Sequence, residues 1–253
     1  MEFDNDLKAR INSFFKRDRD RDFFYRIWDT DLEVYKSRLK AIGLSGLENV
    51  LDAGSGYGQW TVALAEMNEY VTGVENDEER IELASMIVKK LGHRNINFNC
   101  AGLEKLGLPD NYFDGAFSYN VVSLTDYRKS LMELHRVIKR NGLLYFNLSG
   151  LGWYLYNIID QHNPSSDFSP RQWAIEALEN TLNYYTEGVH ETGKSLSIPK
   201  KTVLKELEKM GFKIISEGDD GTINTEGVEN IVSFFPGTKY NLEAVYEILC
   251  KKI

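Results

Sequence analysis

Short apolar runs alternate along this chain with longer segments of helical period. The runs lie at about 48–52, 70–75, 96–100, 114–119, 142–148 and 212–217, and they predict strands. Between them, 58–67, 77–91 and 126–139 predict helices. Ile81, Ala84, Val88 and Leu91 line one face of the second, and Leu131, Leu134 and Ile138 one face of the third. Arg140-Asn141-Gly142 reads as a helix stop. Ile231–Phe235 reads as a last strand, followed by a helix with Leu242, Val245, Tyr246 and Leu249 on one side. The alternation predicts an α/β fold: a doubly wound, mostly parallel seven-stranded sheet with helices on both faces. Residues 1–40 form an N-terminal helical segment whose apolar side carries Phe14, Phe15, Phe23, Phe24, Trp28, Leu32 and Tyr35. Residues 151–196 interrupt the alternation with an aromatic-rich helical insertion after the fifth strand. Pro199 then opens a helix at its first position, and Gly211 closes it.

The densest signal is Glu48–Trp60, ENVLDAGSGYGQW. An apolar strand leads into Asp52, and Gly54, Gly56 and Gly58 follow at alternate positions before a helix begins. Glycine is needed where the backbone takes positive φ or must touch a ligand. The helix start offers unpaired N–H groups. The segment is therefore a nucleotide-type binding loop at the carboxyl end of the first strand. A dinucleotide G-x-G-x-x-G would need glycine at 59, where Gln59 stands, and no P-loop occurs. The second strand, in YVTGVEND, ends in Glu75, which is placed to accept from both hydroxyls of a ribose. Asn76-x-x-Glu79 has capping-box spacing, which leaves Glu75 for a ligand.

Composition narrows the function. Hydrophobic residues make up 42% and charged residues 27%, as in ordinary globular chains. The net charge of −8 argues against nucleic acid as a partner, since that binding rests on neutralising phosphates. Lys16–Asp22 alternates in sign and reads as a solvated helix face. The two cysteines, Cys100 and Cys250, form no C-x-x-C and fit a reducing cytoplasm; no secretory signal or metal site is expected. The uncharged run Asn141–Ile159 has the length of a membrane span. Its glycines and asparagines divide it instead into a buried strand and the start of the insertion.

Four blocks in order, LDAGSGYG, VTGVEND, LGLPDNYFDGAFSYNVV and GLLYFNLSG after HRVIKRNG, resemble the class I S-adenosylmethionine-dependent methyltransferases over residues 49–150. The resemblance implies that Gly54, Ser55, Gly56 and Gly58 approach the amino-acid part of S-adenosylmethionine, with Asp52 holding the turn. Glu75 would take the ribose and Asn76 lie beside the adenine. Tyr119, Asn120 and Val121 would lie under the sulfonium. The acidic residue that usually reads the adenine amino group is replaced by Gly102, so recognition falls to the backbone of Gly102-Leu103, to Glu104 or to a neighbouring strand. The family pattern makes 1–40 a lid, 41–150 the cofactor-binding core, 151–196 an acceptor cap and 197–253 the remainder of the core. A cytoplasmic enzyme methylating oxygen or nitrogen of a small molecule, and releasing S-adenosylhomocysteine, is the leading expectation. An RNA or protein methyltransferase and a non-catalytic cofactor-binding protein are the alternatives. Methyl transfer needs a base only if the acceptor must lose a proton; His162, Tyr154 and His190 are the candidates, while His135 inside a helix reads as structural.

Overall fold

The computed structural model describes residues 3–253, apart from the side chain of Asp6. The order is α1 (Asn5–Phe14), α2 (Asp18–Asp29), α3 (Leu32–Ala41), β1 (Asn49–Ala53), α4 (Gln59–Ala65), β2 (Tyr70–Glu75), α5 (Glu78–Leu91), β3 (Ile96–Cys100), β4 (Phe113–Ser118), α6 (Tyr127–Val137) and β5 (Ile138–Ser149). There follow α7 (Leu151–Ile159), α8 (Pro170–Glu187), α9 (Lys200–Met210), β6 (Phe212–Asp219), a short hairpin of β7 (Thr238–Lys239) and β8 (Leu242–Glu243), and β9 (Val245–Lys252). The main sheet has seven strands in the order β3-β2-β1-β4-β5-β9-β6. The first five pair in parallel, and β9 runs antiparallel to both β5 and β6. This is the doubly wound, mostly parallel sheet expected from the alternation.

Each sheet face is covered by helices whose apolar residues recur at helical spacing. On one face Leu131, Leu134, Val203 and Leu207 of α6 and α9 pack against Leu144, Phe146 and Ile248. On the other, Tyr35 and Leu39 of α3 and Trp60 and Leu64 of α4 pack against Phe117, Tyr145 and Leu249. Burial of side chains this size contributes about 1.5–3 kcal/mol each. The helices α1 and α2 form an outer layer: Ile11, Phe24 and Trp28 pack on Tyr57 of the glycine loop and on Leu83 and Ile87 of α5.

Several boundaries differ from the sequence reading. The expected C-terminal helix is the strand β9. All six residues Val245–Cys250 are buried, and a run covered on both faces has no polar alternation to distinguish strand from helix. Ile231–Phe235 is not a strand but an irregular segment; the N–H groups of Phe234 and Phe235 donate to Asp220 Oδ2 at 2.8 and 3.1 Å. The expected stop at 140–142 lies inside β5, because α6 already ends at Val137. There the pairing register shifts, Asn141 has φ +68°, and a Cβ on Gly142 would sit 2.5 Å from Ile138 Cγ2. Pro199 is the N-cap of α9 rather than its first residue, so the helix begins one residue later than expected. Asn141–Ile159 divides into the end of β5 and α7, and no helix of the described residues is long and apolar enough to cross a membrane.

Candidate functional site

The carboxyl ends of β1 and β2 bring the glycine loop and Glu75 together. The N–H groups of Gly54 and Ser55 both donate to Val74 O, at 2.7 and 2.8 Å, which bends the chain off β1. Gly54 has φ +90°, and a Cβ there would lie 2.3 Å from Val121 Cγ2, so only glycine fits. Gly58, with φ +86°, is the N-cap of α4 and supplies no side chain to its first N–H groups. These groups need partners from elsewhere. Asp52 lies beneath the loop, 1% exposed, and accepts from Thr61 Oγ1 at 2.6 Å. Burial pushes its carboxyl up to about 7; the Thr61 bond opposes this and the charge of Glu75 adds to it.

The spacing predicts Asn76 as the helix cap with Glu75 free of it, and the structure differs on both points. The N-cap of α5 is Asp77, which accepts from Glu79 N and Arg80 N, and Asn76 is exposed beside it. Glu75 Oε1 accepts from the N–H groups of Asn76 and Asp77, and Oε2 from that of Gly56 at 3.0 Å. A carboxylate has about four acceptor sites. Three bonds therefore leave room on Oε2, and the carboxylate is held rigidly against the loop. Two buried polar atoms in the same loop, Ser55 Oγ and Gln59 Oε1, have no partner among the described residues. Leaving such atoms unpaired costs about 1–3 kcal/mol each, so a polar ligand at this loop would be stabilised by both. The donor N–H groups, the spare oxygen and these orphaned atoms fit the amino-acid and ribose parts of S-adenosylmethionine.

On the adenine side, Gly102 is half-buried and Leu103 belongs to the core. The carboxylate of Glu104 folds back: Oε2 stands 3.2 Å from where a Gly102 Cβ would be, while Oε1 accepts from Asp126 N. An acidic group is thus brought to the position from two residues downstream. At the end of β4, Val121 packs on Gly54. Asn120, with φ +59°, is locked by Asn147: its N–H donates to Asn147 Oδ1 at 2.6 Å, and Asn147 Nδ2 donates to Asn120 Oδ1 at 2.9 Å. The Tyr119 hydroxyl donates to Asp220 Oδ1 at 2.6 Å.

From Tyr119 an aromatic wall runs under the insertion. Tyr119 and Phe235 have centroids 6.1 Å apart, Phe235 and Trp153 5.5 Å, Trp153 and His162 6.0 Å, and Tyr156 and His162 5.3 Å. His162 lies at the outer end, exposed. Its Nδ1 is 3.2 Å from the Tyr156 hydroxyl, and partial burial with the charges of Arg26 and Lys239 holds its pKa below the ordinary value. Tyr154 does not front the wall: it is wholly buried, bonded to Ser195 Oγ and Leu196 O, and burial raises its pKa. His190 Nε2 is tied to Lys194 O. His135 packs edge-on to Phe212.

Sequence reasoning missed the network behind this wall. Arg38, 4% exposed, donates to both oxygens of Asp220, to Glu247 Oε2 at 2.8 Å and to the Tyr145 hydroxyl at 2.7 Å. Burial works against its charge, but Tyr145, Tyr119 and Asp220 outweigh it and the guanidinium stays ionised. The available signal was Glu247, one carboxylate within the apolar run AVYEILC, which a buried strand tolerates only with a buried partner.

A glycine-rich turn after β1, an acidic end to β2 and a sheet whose last strand is inserted antiparallel are the features of the class I S-adenosylmethionine-dependent methyltransferase fold. Residues 51–146 match the family model described as "Methyltransferase domain". The chain is 33% identical over 149 residues to the uncharacterized methyltransferase YcgJ of Bacillus subtilis (strain 168), covering 58% of this chain and 52% of that protein. It is 33% identical over 109 residues to the ubiquinone/menaquinone biosynthesis C-methyltransferase UbiE of Citrifermentans bemidjiense, covering 41% of this chain and 46% of that protein. The chain thus spans about half the length of these curated relatives. A SAM-dependent methyltransferase from Aquifex aeolicus shares the fold, with a TM-score of 0.55 at 19% identity over 100% of both chains. Residues 51–146 thus match a methyltransferase domain, and the fold is shared with S-adenosylmethionine-dependent methyltransferases.

Proposed function

We propose that this chain transfers a methyl group from S-adenosylmethionine to oxygen or nitrogen of a small-molecule acceptor. The observation that carries the reading is the Glu75 carboxylate bonded to the glycine loop, with unpaired Ser55 and Gln59 atoms at its side. The cofactor supplies an activated methyl group, so the protein's task is chiefly to position the acceptor. In this reading the loop holds the amino-acid part, Glu75 the ribose and Glu104 the adenine amino group. Residues 1–40 act as a lid over Tyr57, and the 151–196 insertion acts as the acceptor cap. The aromatic wall from Tyr119 to Tyr156 excludes water and receives the acceptor. His162, held neutral at pH 7, is the group positioned to take a proton from it. Replacing His162 with Gln should lower kcat for a hydroxyl acceptor with little change in cofactor affinity; an unchanged rate would remove His162 from the mechanism. The similarity to a protein named as a C-methyltransferase favours a second reading, methylation at carbon, which product NMR distinguishes by the chemical shift of the new methyl group. An RNA or protein acceptor has no comparable support.

A further inference from the structure

Two cations, Arg26 and Lys239, bear on the His162 end of the aromatic wall, and neither is in an ion pair with a described carboxylate. Helix α2 carries Arg19 and Arg26 seven residues apart, two turns along one face. Arg19 fixes the direction of that face, because its guanidinium lies 3.2 Å from the centre of the Phe168 ring in the insertion. Asp20 and Asp167 offset its charge. Arg26 follows on the same face, its guanidinium 5.3 Å from the centre of the Phe23 ring, and its charge acts on His162. From the opposite side Lys239, on β7, holds Nζ 3.9 Å above the Tyr156 ring and acts on the same imidazole. Neither Arg26 nor Lys239 forms an ion pair with a described carboxylate. The acid nearest in sequence to this imidazole, Asp160, accepts from the Tyr240 hydroxyl. In a chain of net charge −8, this is a local positive field beside flat aromatic surfaces. Arginine binds carboxylate or phosphate through paired N–H groups, and lysine adds a point charge.

We infer that the methyl acceptor is a planar aromatic molecule bearing an anionic group, held between Arg26 and Lys239 with its ring against Trp153 and Phe235. The inference rests on the methyltransferase reading and extends it to the acceptor's chemistry. The lid, the cap and the β7–β8 hairpin would each contribute one element: Arg26, Trp153 and Lys239. The acceptor would thus be read only when all three have closed together.

The test uses the full chain and separates the two levels. S-adenosylhomocysteine binding is first titrated on wild type, Arg26→Gln and Lys239→Gln; equal affinities place the cations outside the cofactor site. Hydroxybenzoates and hydroxycinnamates are then compared with their methyl esters, by methyl transfer and by thermal shift of the S-adenosylhomocysteine-bound protein. A charge-assisted contact predicts that the acids are favoured by about ten- to hundredfold, and that either variant collapses this discrimination by raising KM for the acids. Acids no better than esters in both readouts, or a preference that survives both variants, would overturn the inference. Failure of the wild type to bind S-adenosylhomocysteine would overturn the methyltransferase reading instead.

Discussion

At the scale of single residues, the buried Asp52 carboxyl makes the sharpest statement. Its folded pKa, near 7, lies above its ordinary value of 3.8, so the fold favours the protonated form. The stabilisation is complete below about pH 4 and is lost as pH rises toward 7. Asp52→Asn should flatten the fall of the unfolding midpoint across that window, which melts at a series of pH values will show. Gly54→Val tests the loop itself. Its φ of +90° and the 2.3 Å approach of Val121 predict a loss of about 1–3 kcal/mol together with loss of cofactor binding; a variant that still binds normally would refute the loop's role. The glycines and Glu75 were legible in the sequence because a loop and the next strand end are fixed by local spacing. Arg38 was not, because its partners Asp220 and Glu247 lie 182 and 209 residues away and no period connects them.

At the scale of elements, β9 shows where pattern reading gives out. Period 2 and period 3.6 are told apart by their polar gaps, and a strand paired on both edges and covered on both faces has none. Its pairing partners, β5 and β6, were legible; the strand between them was not, and so the sheet's antiparallel member went unseen. The position of Glu247 in β9 yields a further expectation. Removing it as Glu247→Ala leaves Arg38 buried with one carboxylate, Asp220, and should cost about 3 kcal/mol, read by urea denaturation. A change under about 1 kcal/mol would mean that the guanidinium is not desolvated. Residues 231–235 were misread for a related reason: their apolar side chains suggested a strand, but their N–H groups are used to satisfy Asp220.

At the scale of the whole molecule, the glycine loop lies between an outer helical layer and the sheet. Phe24 is fully buried against Tyr57, with ring centroids 5.4 Å apart, so α2 and the loop share a packing surface. Phe24→Ala should cost about 3–5 kcal/mol of packing and loosen α1 and α2, seen as faster amide exchange there than in the sheet. The helical character of 1–40 was legible from its aromatic spacing, but its packing on the loop was not, since amphipathicity names a buried face without naming its partner. The central claim is that Glu75 and the glycine loop bind S-adenosylmethionine. The most direct measurement is calorimetric titration of the cofactor into wild type and Glu75→Ala, with both proteins shown to be folded by their melting curves. The account predicts one site per chain in the wild type and an affinity at least about tenfold weaker in the variant, equivalent to 1.4 kcal/mol. Equal binding by both, or none by the wild type, would contradict it.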